Sequence, residues 1–142
     1  MKYEILHLKD YFPALGENGC DATVTAYLAD NLTEMGRDHA LRPCLVICPG
    51  GAYEFCSVRE ADAPASAFLN MGLQVFILLY SCGEAAGGKQ PLTEAAQSVR
   101  LVRERADEWW IDPQKILICG FSAGGHLAAS LGVHWDDPAL AE

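Results

Sequence analysis

The sequence predicts a single α/β domain over residues 1–142, with a mostly parallel sheet, an antiparallel N-terminal edge and helices on both faces. Three observations support this fold class. Two early segments alternate apolar and polar residues with a period of two. From residue 45 onward, short apolar runs alternate with segments of helical periodicity. The 142 residues, 51% of them hydrophobic, are also enough to bury one core.

The two alternating segments are predicted to form the antiparallel edge of the sheet. They run from Tyr3 to Leu8 and from Ala22 to Leu28. Period-two patterning over that length is typical of half-exposed strands. The stretch between them is rich in turn residues, including Pro13 and Gly16. We therefore expect an antiparallel pair whose strands are connected by turns.

Two nearly continuous apolar runs follow, Leu45 to Cys48 and Leu73 to Tyr80, and both are expected to be strands covered on two faces. A helix is predicted between them, from about Ala63 to Met71. Pro64 suits its first turn, where the missing N–H has no helical partner to lose, and Gly72 suits its end.

The start of that helix has a second interpretation, a capping box formed by Ser57 and Glu60. It would place Pro64 inside the helix, where proline removes a hydrogen bond and clashes with the preceding turn. We therefore prefer the later start.

The next helix begins at Pro91, and its apolar residues recur at three- and four-residue steps. They are Leu92, Ala95, Ala96, Val99, Val102, Ala106 and Trp109. Asp112-Pro113 is expected to break the chain before a last buried strand, Lys115 to Cys119. A tight turn then leads into a helix of small residues, from Ala123 to about Leu131.

The strongest chemical motif is Gly120-Phe121-Ser122-Ala123-Gly124, which fits the pattern G-x-S-x-G between a buried strand and a helix. In this setting a strained turn presents the serine hydroxyl outward, and the two glycines leave room where side chains would clash. The N-terminus of the helix directs its dipole toward the hydroxyl. Ser122 is therefore the candidate nucleophile, and the Ala123 N–H is positioned to stabilise an oxyanion.

A second glycine-rich loop, Pro49-Gly50-Gly51-Ala52-Tyr53, directly follows the first buried strand. Ligands of parallel sheets bind beyond the carboxyl ends of the strands, so this loop and the serine turn are expected to share one end of the sheet. Pro-Gly-Gly also occurs at ordinary strand-ending turns. The functional interpretation of the loop is favoured because the loop precedes the serine motif in the expected order.

Together these motifs resemble the α/β-hydrolase superfamily, in particular the esterase and lipase branch that includes bacterial acetyl-xylan esterases and related carbohydrate esterases. The segments that carry the resemblance are PGGAY at 49–53, Arg59-Glu60 with Pro64, FILLYS at 76–81, EWWIDP at 108–113 and GFSAGGHLAASLGVHW at 120–135. The resemblance implies that this chain forms the N-terminal part, about the first half, of that fold.

The resemblance also implies roles for individual residues. Ser122 would be the nucleophile, Gly120 and Gly124 would shape the nucleophile elbow, and the N–H groups of Gly51, Ala52 and Ala123 would form the oxyanion hole.

Two residues of the first loop depart from the family pattern. Pro49 stands where many relatives have histidine, which removes a side chain that helps to hold the loop. Ala52 replaces the third glycine of the usual box. If the site requires a positive φ there, alanine carries a strain of about 1 kcal/mol.

In the family, the triad acid and histidine lie on later strands, and the resemblance therefore places both outside this chain. His126 lies four residues after Ser122 on the same predicted helix, and we expect it to have a structural role. The remaining histidines, none of which is expected to act as the base, are His7, His39 and His134. Without a base the serine is a weak nucleophile, so we expect the isolated chain to be nearly inactive.

The domain is interpreted as a truncated one, which would leave Lys115 to Cys119 as an apolar parallel edge strand. Such an edge exposes unpaired backbone groups. We therefore expect self-association through this edge, or pairing with a complementary C-terminal chain.

Composition restricts the partners and the location. A net charge of −9 argues against nucleic acid, because phosphate binding needs a basic face. The sequence shows neither a signal peptide nor an apolar stretch long enough to cross a bilayer, which predicts a cytoplasmic protein without a membrane partner. No metal or organic cofactor is implied, because serine-dependent ester hydrolysis needs none.

The cysteines are interpreted as reduced thiols, because there is no signal peptide and the spacing is scattered; disulfides remain the alternative. The six are Cys20, Cys44, Cys48, Cys56, Cys82 and Cys119.

The leading functional interpretation is a serine-dependent esterase that acts on a small acyl ester. The resemblance favours acetyl esters, on sugars or xylo-oligosaccharides. A peptidase or lipase of the same superfamily is the alternative within the enzyme class. A different class of interpretation is a non-catalytic half that needs a complementary chain.

Overall fold

Five strands form one mixed sheet in the computed structural model, which describes residues 1–140. The strands are β1 (Lys2–His7), β2 (Thr23–Leu28), β3 (Arg42–Cys48), β4 (Gln74–Leu79) and β5 (Ile111–Gly120). In space their order is β1-β2-β4-β3-β5. β1 pairs antiparallel with β2, and β2 pairs antiparallel with β4. β3 pairs parallel with both β4 and β5, so the predicted parallel sheet with an antiparallel N-terminal edge is confirmed.

Four helices accompany the sheet: α1 (Leu8–Tyr11), α2 (Asp62–Asn70), α3 (Gln90–Glu104) and α4 (Ala123–Val133). Pro64 is the third residue of α2 and lies in its first turn, as predicted. The rejected capping box is a separate 3₁₀ turn, Val58–Glu60, and the Ser57 side chain does not cap it. Within residues 1–140, none of the helices is long and apolar enough to cross a membrane.

The core lies on both faces of the sheet, because successive side chains of a strand point to opposite faces. On β3, Leu45 and Ile47 belong to the cluster that includes Ala65 of α2. The intervening Val46 belongs to the cluster that includes Leu127 of α4. Every residue from 44 to 48 is buried, which explains why this strand is a continuous apolar run.

Two predicted boundaries were wrong. The helix that begins near Pro91 ends at Glu104, so Ala106 and Trp109 are buried beyond it rather than on its face. The turn closes through a hydrogen bond of 2.9 Å from the Ile111 N–H to the Ala106 carbonyl, which starts β5 at Ile111.

The expected break at Asp112-Pro113 is a bulge inside β5. Arg42 pairs with Ile111 and Cys44 pairs with Ile116, so the residues between Ile111 and Ile116 are out of register with β3. Proline cannot donate to a ladder and is tolerated at bulges and edges, which explains how Pro113 fits within a strand.

β5 lies at the edge of the sheet, and within residues 1–140 it pairs only with β3. The Leu117 side chain on this edge is 51% exposed. The last strand is therefore not buried on both sides, as its apolar sequence alone suggested, but only half covered.

A buried glutamine joins three parts of the chain near the start of β4. Gln74 is 0% exposed. Its Oε1 accepts from the Ala29 N–H at 2.8 Å, and its Nε2 donates to the carbonyls of Ala29 and Trp109 at 3.1 and 2.9 Å. The side chain therefore satisfies backbone groups that would otherwise lack partners.

Replacing Gln74→Leu should lower the free energy of unfolding by about 2–3 kcal/mol, because the buried backbone groups lose their partners. The matched control is Gln114→Leu, since the Gln114 side chain is exposed on β5, and its change should stay within about 0.5 kcal/mol. Urea denaturation of both variants measures the difference. Equal midpoints would show that the Gln74 hydrogen bonds do not stabilise the fold.

Candidate active site

Ser122 occupies a sharp turn between β5 and α4. Its φ is 51° and its ψ −119°, an unusual backbone conformation for a residue other than glycine. Such a conformation costs about 1–3 kcal/mol and persists only where the surroundings impose it. The residue is exposed and its side chain makes no capping hydrogen bond to the helix. The turn therefore presents the hydroxyl to solvent at the N-terminus of α4.

Two glycines make this turn possible through close backbone contact. A Cβ on Gly120 would lie 2.0 Å from the Gly124 carbonyl oxygen. A Cβ on Gly124 would lie 2.0 Å from the Cys48 carbonyl oxygen at the end of β3. No side chain fits at either distance, so both positions require glycine for the approach of α4 to the sheet.

The loop after β3 is strained as well. Gly51, Ala52 and Tyr53 have φ values of 135°, 55° and 61°. A Cβ on Gly51 would lie 2.0 Å from the Phe55 carbonyl oxygen. Because Ala52 does adopt a positive φ, alanine in place of the usual third glycine carries the strain of about 1 kcal/mol expected from the sequence.

This loop and the serine turn meet at the carboxyl ends of β3 and β5. A Cβ on Gly50 would lie 2.6 Å from the Phe121 carbonyl oxygen and 3.0 Å from the Ser122 Cβ. The Phe121 N–H donates to the Cys48 carbonyl at 3.1 Å. The Gly50 N–H donates to Glu60 Oε2 at 2.7 Å, which anchors the loop to the 3₁₀ turn that precedes α2.

The three N–H groups predicted for the oxyanion hole belong to these two loops. Within residues 1–140, the N–H groups of Gly51, Ala52 and Ala123 donate no hydrogen bond. Unpaired donors next to an exposed serine can bind the oxygen of a substrate carbonyl as it acquires negative charge. The helix dipole of α4 acts in the same direction.

His126 has a structural partner, Tyr53. The Tyr53 hydroxyl lies 2.8 Å from His126 Nδ1. The two rings also meet edge to face, with centroids 5.8 Å apart. Burial raises the pKa of Tyr53, so its hydroxyl keeps a proton to donate. This side chain links the loop after β3 to α4.

The other histidines lie away from the serine. His7 pairs with Asp21 at 2.7 Å beside β1. His39 stacks against Trp110 at a centroid distance of 5.6 Å, at the opposite end of β5 from the serine turn. His134 follows α4, twelve residues after Ser122, which at 1.5 Å per residue is about 18 Å along the axis.

Sequence reasoning missed a buried glutamate that organises the loop after β4. Glu94 of α3 is 0% exposed, and burial raises its pKa. Its carboxylate accepts from the Ser81 N–H at 2.7 Å, from the Ser81 hydroxyl at 2.5 Å and from Gln90 at 3.0 Å. Its place in sequence gave no signal, because Glu94 and the adjacent predicted core position Ala95 point about 100° apart around a helix.

Tyr80 and Glu60 were missed as well. The Tyr80 hydroxyl donates to the Pro49 carbonyl at 2.5 Å, so it supports the loop that lacks the family histidine. Glu60 lay within a segment that carried the resemblance, but its bond to Gly50 joins residues ten apart in sequence. No local pattern predicts such a contact.

A cavity of about 290 Å³ lies between Tyr53 of the loop after β3, the start of α3 and the α4 residues His126, Leu127 and Ser130. It is bounded by Tyr53 and His126 together with Lys89, Leu92 and Leu127. A larger cavity, of about 430 Å³, lies between α3 and α4, and none of the serine-turn or loop residues lines it. The smaller cavity is therefore the one adjacent to the candidate site.

The cysteine side chains within residues 1–140 are free thiols. The Sγ atoms of Cys56 and Cys82 lie 3.8 Å apart. Burial raises the pKa of Cys56 to about 12, so this thiol remains protonated at neutral pH. Among the described residues, no group of three or more His, Cys, Asp or Glu side chains is arranged to hold a metal ion.

The sheet order and the strand–serine–helix turn define the class of this protein: it is the N-terminal part of an α/β hydrolase. A solved α/β hydrolase, MGS-M1 from a Medee basin deep-sea metagenome library, superposes with a TM-score of 0.80 and 36% identity. The match covers 92% of this chain and 50% of that one. The sequence matches the BD-FAE family over residues 32–142, and the chain belongs to that family.

Two curated relatives are similar to this chain. An endo-1,4-beta-xylanase B of Butyrivibrio fibrisolvens is 39% identical over 103 residues, which are 70% of this chain and 16% of the relative. An acetylxylan esterase of Xylanibacter ruminicola is 37% identical over 87 residues, which are 60% of this chain and 18% of the relative. The chain thus spans less than a fifth of either relative and about half of the solved hydrolase.

Replacing Gly124→Ala should lower the free energy of unfolding by at least about 3 kcal/mol, because the new Cβ would overlap the Cys48 carbonyl. Gly132→Ala is the matched control on the same helix, since a Cβ there meets nothing within 4 Å. That change should be neutral or stabilise by up to about 1 kcal/mol. Thermal unfolding followed by circular dichroism compares the two; similar melting temperatures would contradict the close approach.

Proposed function

We propose that this chain carries the nucleophile half of a serine-dependent carboxylic ester hydrolase, with Ser122 as the nucleophile. The observation that carries the proposal is the strained backbone of Ser122, which exposes its hydroxyl at a turn that adjoins a loop with unpaired N–H groups. Strain of this kind at an exposed serine is typical of a functional turn. The similarity to esterases supports the same reaction class.

In the proposed reaction, Ser122 Oγ attacks the carbonyl carbon of the ester and transfers its proton to a base. The N–H groups of Gly51, Ala52 and Ala123 stabilise the oxyanion. The intermediate expels the alcohol, which takes up the proton, and leaves an acyl-enzyme. Water then attacks the acyl carbon by the same route, releasing the acid and restoring the serine.

The base and its acid partner are proposed to come from outside residues 1–140. His126 is engaged with Tyr53, and the other three histidines lie beside β1, at the opposite end of β5 or beyond the end of α4. A serine without a base retains only binding and oxyanion stabilisation. We therefore propose that the chain alone is inactive or very weak, and that it has a cytoplasmic location.

The proposed substrates are short acyl esters, in particular acetyl esters on sugars or xylo-oligosaccharides. One supporting finding is the similarity to an acetylxylan esterase. The cavity bounded by Tyr53, Lys89 and His126 offers aromatic and polar groups suited to a sugar alcohol. A peptidase or lipase of the same superfamily remains the alternative substrate class.

We further propose that the free edge of β5 pairs with a complementary C-terminal segment. The match that covers 92% of this chain covers only 50% of the solved hydrolase, which supports a segment of similar length as the occupant. The exposed apolar side chain of Leu117 lies on this edge. In the absence of that segment, a second copy would take its place.

The nucleophile is tested by hydrolysis of p-nitrophenyl acetate and by labelling with a fluorophosphonate. The chain alone should retain only about 10³–10⁴-fold acceleration over water, because removing the base from a serine triad costs about 10⁶ in kcat. Ser122→Ala should abolish the labelling, whereas the weak hydrolysis that comes from binding and oxyanion stabilisation alone should remain. Ser66→Ala, an exposed serine on α2, should change neither.

Two outcomes would change this proposal. Full esterase turnover that disappears in Ser122→Ala would mean that the base comes from within this chain or from a second copy. Equal signals in the chain and in Ser122→Ala, even after the C-terminal half of a related hydrolase is supplied in trans, would favour a non-catalytic half.

The edge is tested by light scattering at micromolar concentration. The chain should self-associate, and Leu117→Lys should reduce its average mass, because a charge on an apolar edge opposes strand pairing. Ile5→Lys on β1 is the matched control, since Ile5 is 50% exposed at the other edge of the sheet. A monomeric wild-type chain, or an equal effect of the control, would contradict pairing through β5.

A further inference from the structure

The loop that follows β3 contains two consecutive residues other than glycine in the left-handed region. Ala52 and Tyr53 have φ values of 55° and 61°. Each such residue costs about 1–2 kcal/mol relative to a right-handed conformation, so the loop cannot hold this shape by local preference. Contacts from outside the loop must impose it.

Tyr53 receives those contacts from three directions. Its hydroxyl lies 2.8 Å from His126 Nδ1 on α4. Its ring meets the Tyr80 ring edge to face, with centroids 5.7 Å apart. Its carbonyl accepts from the Gly83 N–H at 2.6 Å. The end of β4 and the helix that carries the serine turn therefore both hold this one residue.

His126 connects Tyr53 to the serine through a single helical turn. The His126 N–H donates to the Ser122 carbonyl at 3.0 Å. Ala123 follows Ser122, and Ala52 precedes Tyr53. The hydrogen bond between the Tyr53 and His126 side chains therefore connects the residue after Ala52 with the helical turn that contains Ala123.

We propose that Tyr53 and His126 are positioning residues whose hydrogen bond sets the distance between the two halves of the oxyanion hole. One half is the pair of N–H groups of Gly51 and Ala52, and the other is the Ala123 N–H. The inference rests on the proposed function of Ser122 and assigns His126 to the geometry of the site rather than to proton transfer.

The hydrogen bond suits this role because it forms with either tautomer of the His126 ring. Where the ring proton is on Nε2, the Tyr53 hydroxyl donates to Nδ1; where it is on Nδ1, that N–H donates to the Tyr53 oxygen. In both arrangements the bond links the loop to α4.

The position of the pair also explains how the loop tolerates proline at residue 49. The family histidine expected there would support the loop by its side chain, and Pro49 offers only a carbonyl, which Tyr80 binds. Tyr53 and Tyr80 share a ring contact, so the two tyrosines support the loop from its two ends. Of these, only Tyr53 reaches the helix of the serine.

The test measures the rate at which a fluorophosphonate modifies Ser122 in the 142-residue chain, followed over hours by intact mass. This rate depends on the oxyanion hole, because the phosphoryl oxygen takes up negative charge as the serine attacks. Tyr53→Phe keeps the ring contacts and removes the hydroxyl. It should lower the rate constant at saturating probe about 10-fold, less than the 10²–10³-fold cost of removing an oxyanion donor.

The partner and control variants separate positioning from folding. His126→Leu should slow modification as much as Tyr53→Phe, and the double variant should be no slower than either, because both changes break the same bond. His126→Asn should restore most of the rate, since its amide reaches the position of Nδ1.

The control variant is Tyr11→Phe, which removes a hydroxyl bonded to Arg105 at 3.1 Å and should have no effect on the rate. Melting temperatures should stay equal throughout.

Three results would overturn the inference. The first is a modification rate in Tyr53→Phe equal to the wild-type rate. Ser122 would still be modified in that case, so the proposed nucleophile would stand while the positioning role would not. Another is additive losses in the double variant. The last is a fall in rate that follows a fall in melting temperature, which a merely structural role predicts. If Ser122 is not modified in the wild-type chain, even with the C-terminal half of a related hydrolase supplied in trans, the proposed function fails first.

Discussion

The close backbone packing at Gly120 and Gly124 is the constraint on which the site depends. Each glycine lies where a Cβ would be 2.0 Å from a carbonyl oxygen, one within the turn and one at the end of β3. This contact brings the N-terminus of α4 against the carboxyl ends of the parallel strands. The chain can then pass from β5 into α4 only by a sharp turn, and Ser122 takes the strained conformation at its apex. Exposure of the hydroxyl is thus a consequence of backbone packing.

Strain at one end of the sheet is balanced by polar contacts from elements around it. The loop of Gly51, Ala52 and Tyr53 has positive φ at all three residues. Glu60 holds its start through the Gly50 N–H. Buried Glu94 orders the chain after β4, next to the residue that donates to Tyr53. Such contacts are effective because buried polar groups gain strength where water is absent, and a broken one leaves a costly unpaired partner. The geometry of the loops is therefore determined by residues outside them.

The sequence was sufficient to predict the elements and the fold class, but not the contacts that shape the site. Apolar runs and helical periodicity located the central strands and α4 to within a few residues, because burial imposes those patterns directly. The bulge around Pro113 and the end of α3 at Glu104 were mispredicted, since pairing with β3 and tertiary packing decide them. The bond between Tyr53 and His126 joins residues 73 apart and leaves no local pattern. Composition and spacing report burial, whereas the partners of a polar side chain depend on the assembled fold.

Under the proposed function, the arrangement also separates two tasks of ester hydrolysis. Stabilising an oxyanion needs donors fixed before the reaction begins, and the proposed N–H donors belong to two strained, well-supported loops and include no titrating side chain. Proton transfer needs a group that can change its charge near neutral pH and reach the serine hydroxyl. His126 is the histidine nearest to the serine in sequence, but it lies one helical turn beyond Ser122, and its Nδ1 is held by Tyr53 of the loop that carries Ala52. The proposed base from beyond the described residues leaves this contact in place, so the loop can stay rigid while the base titrates.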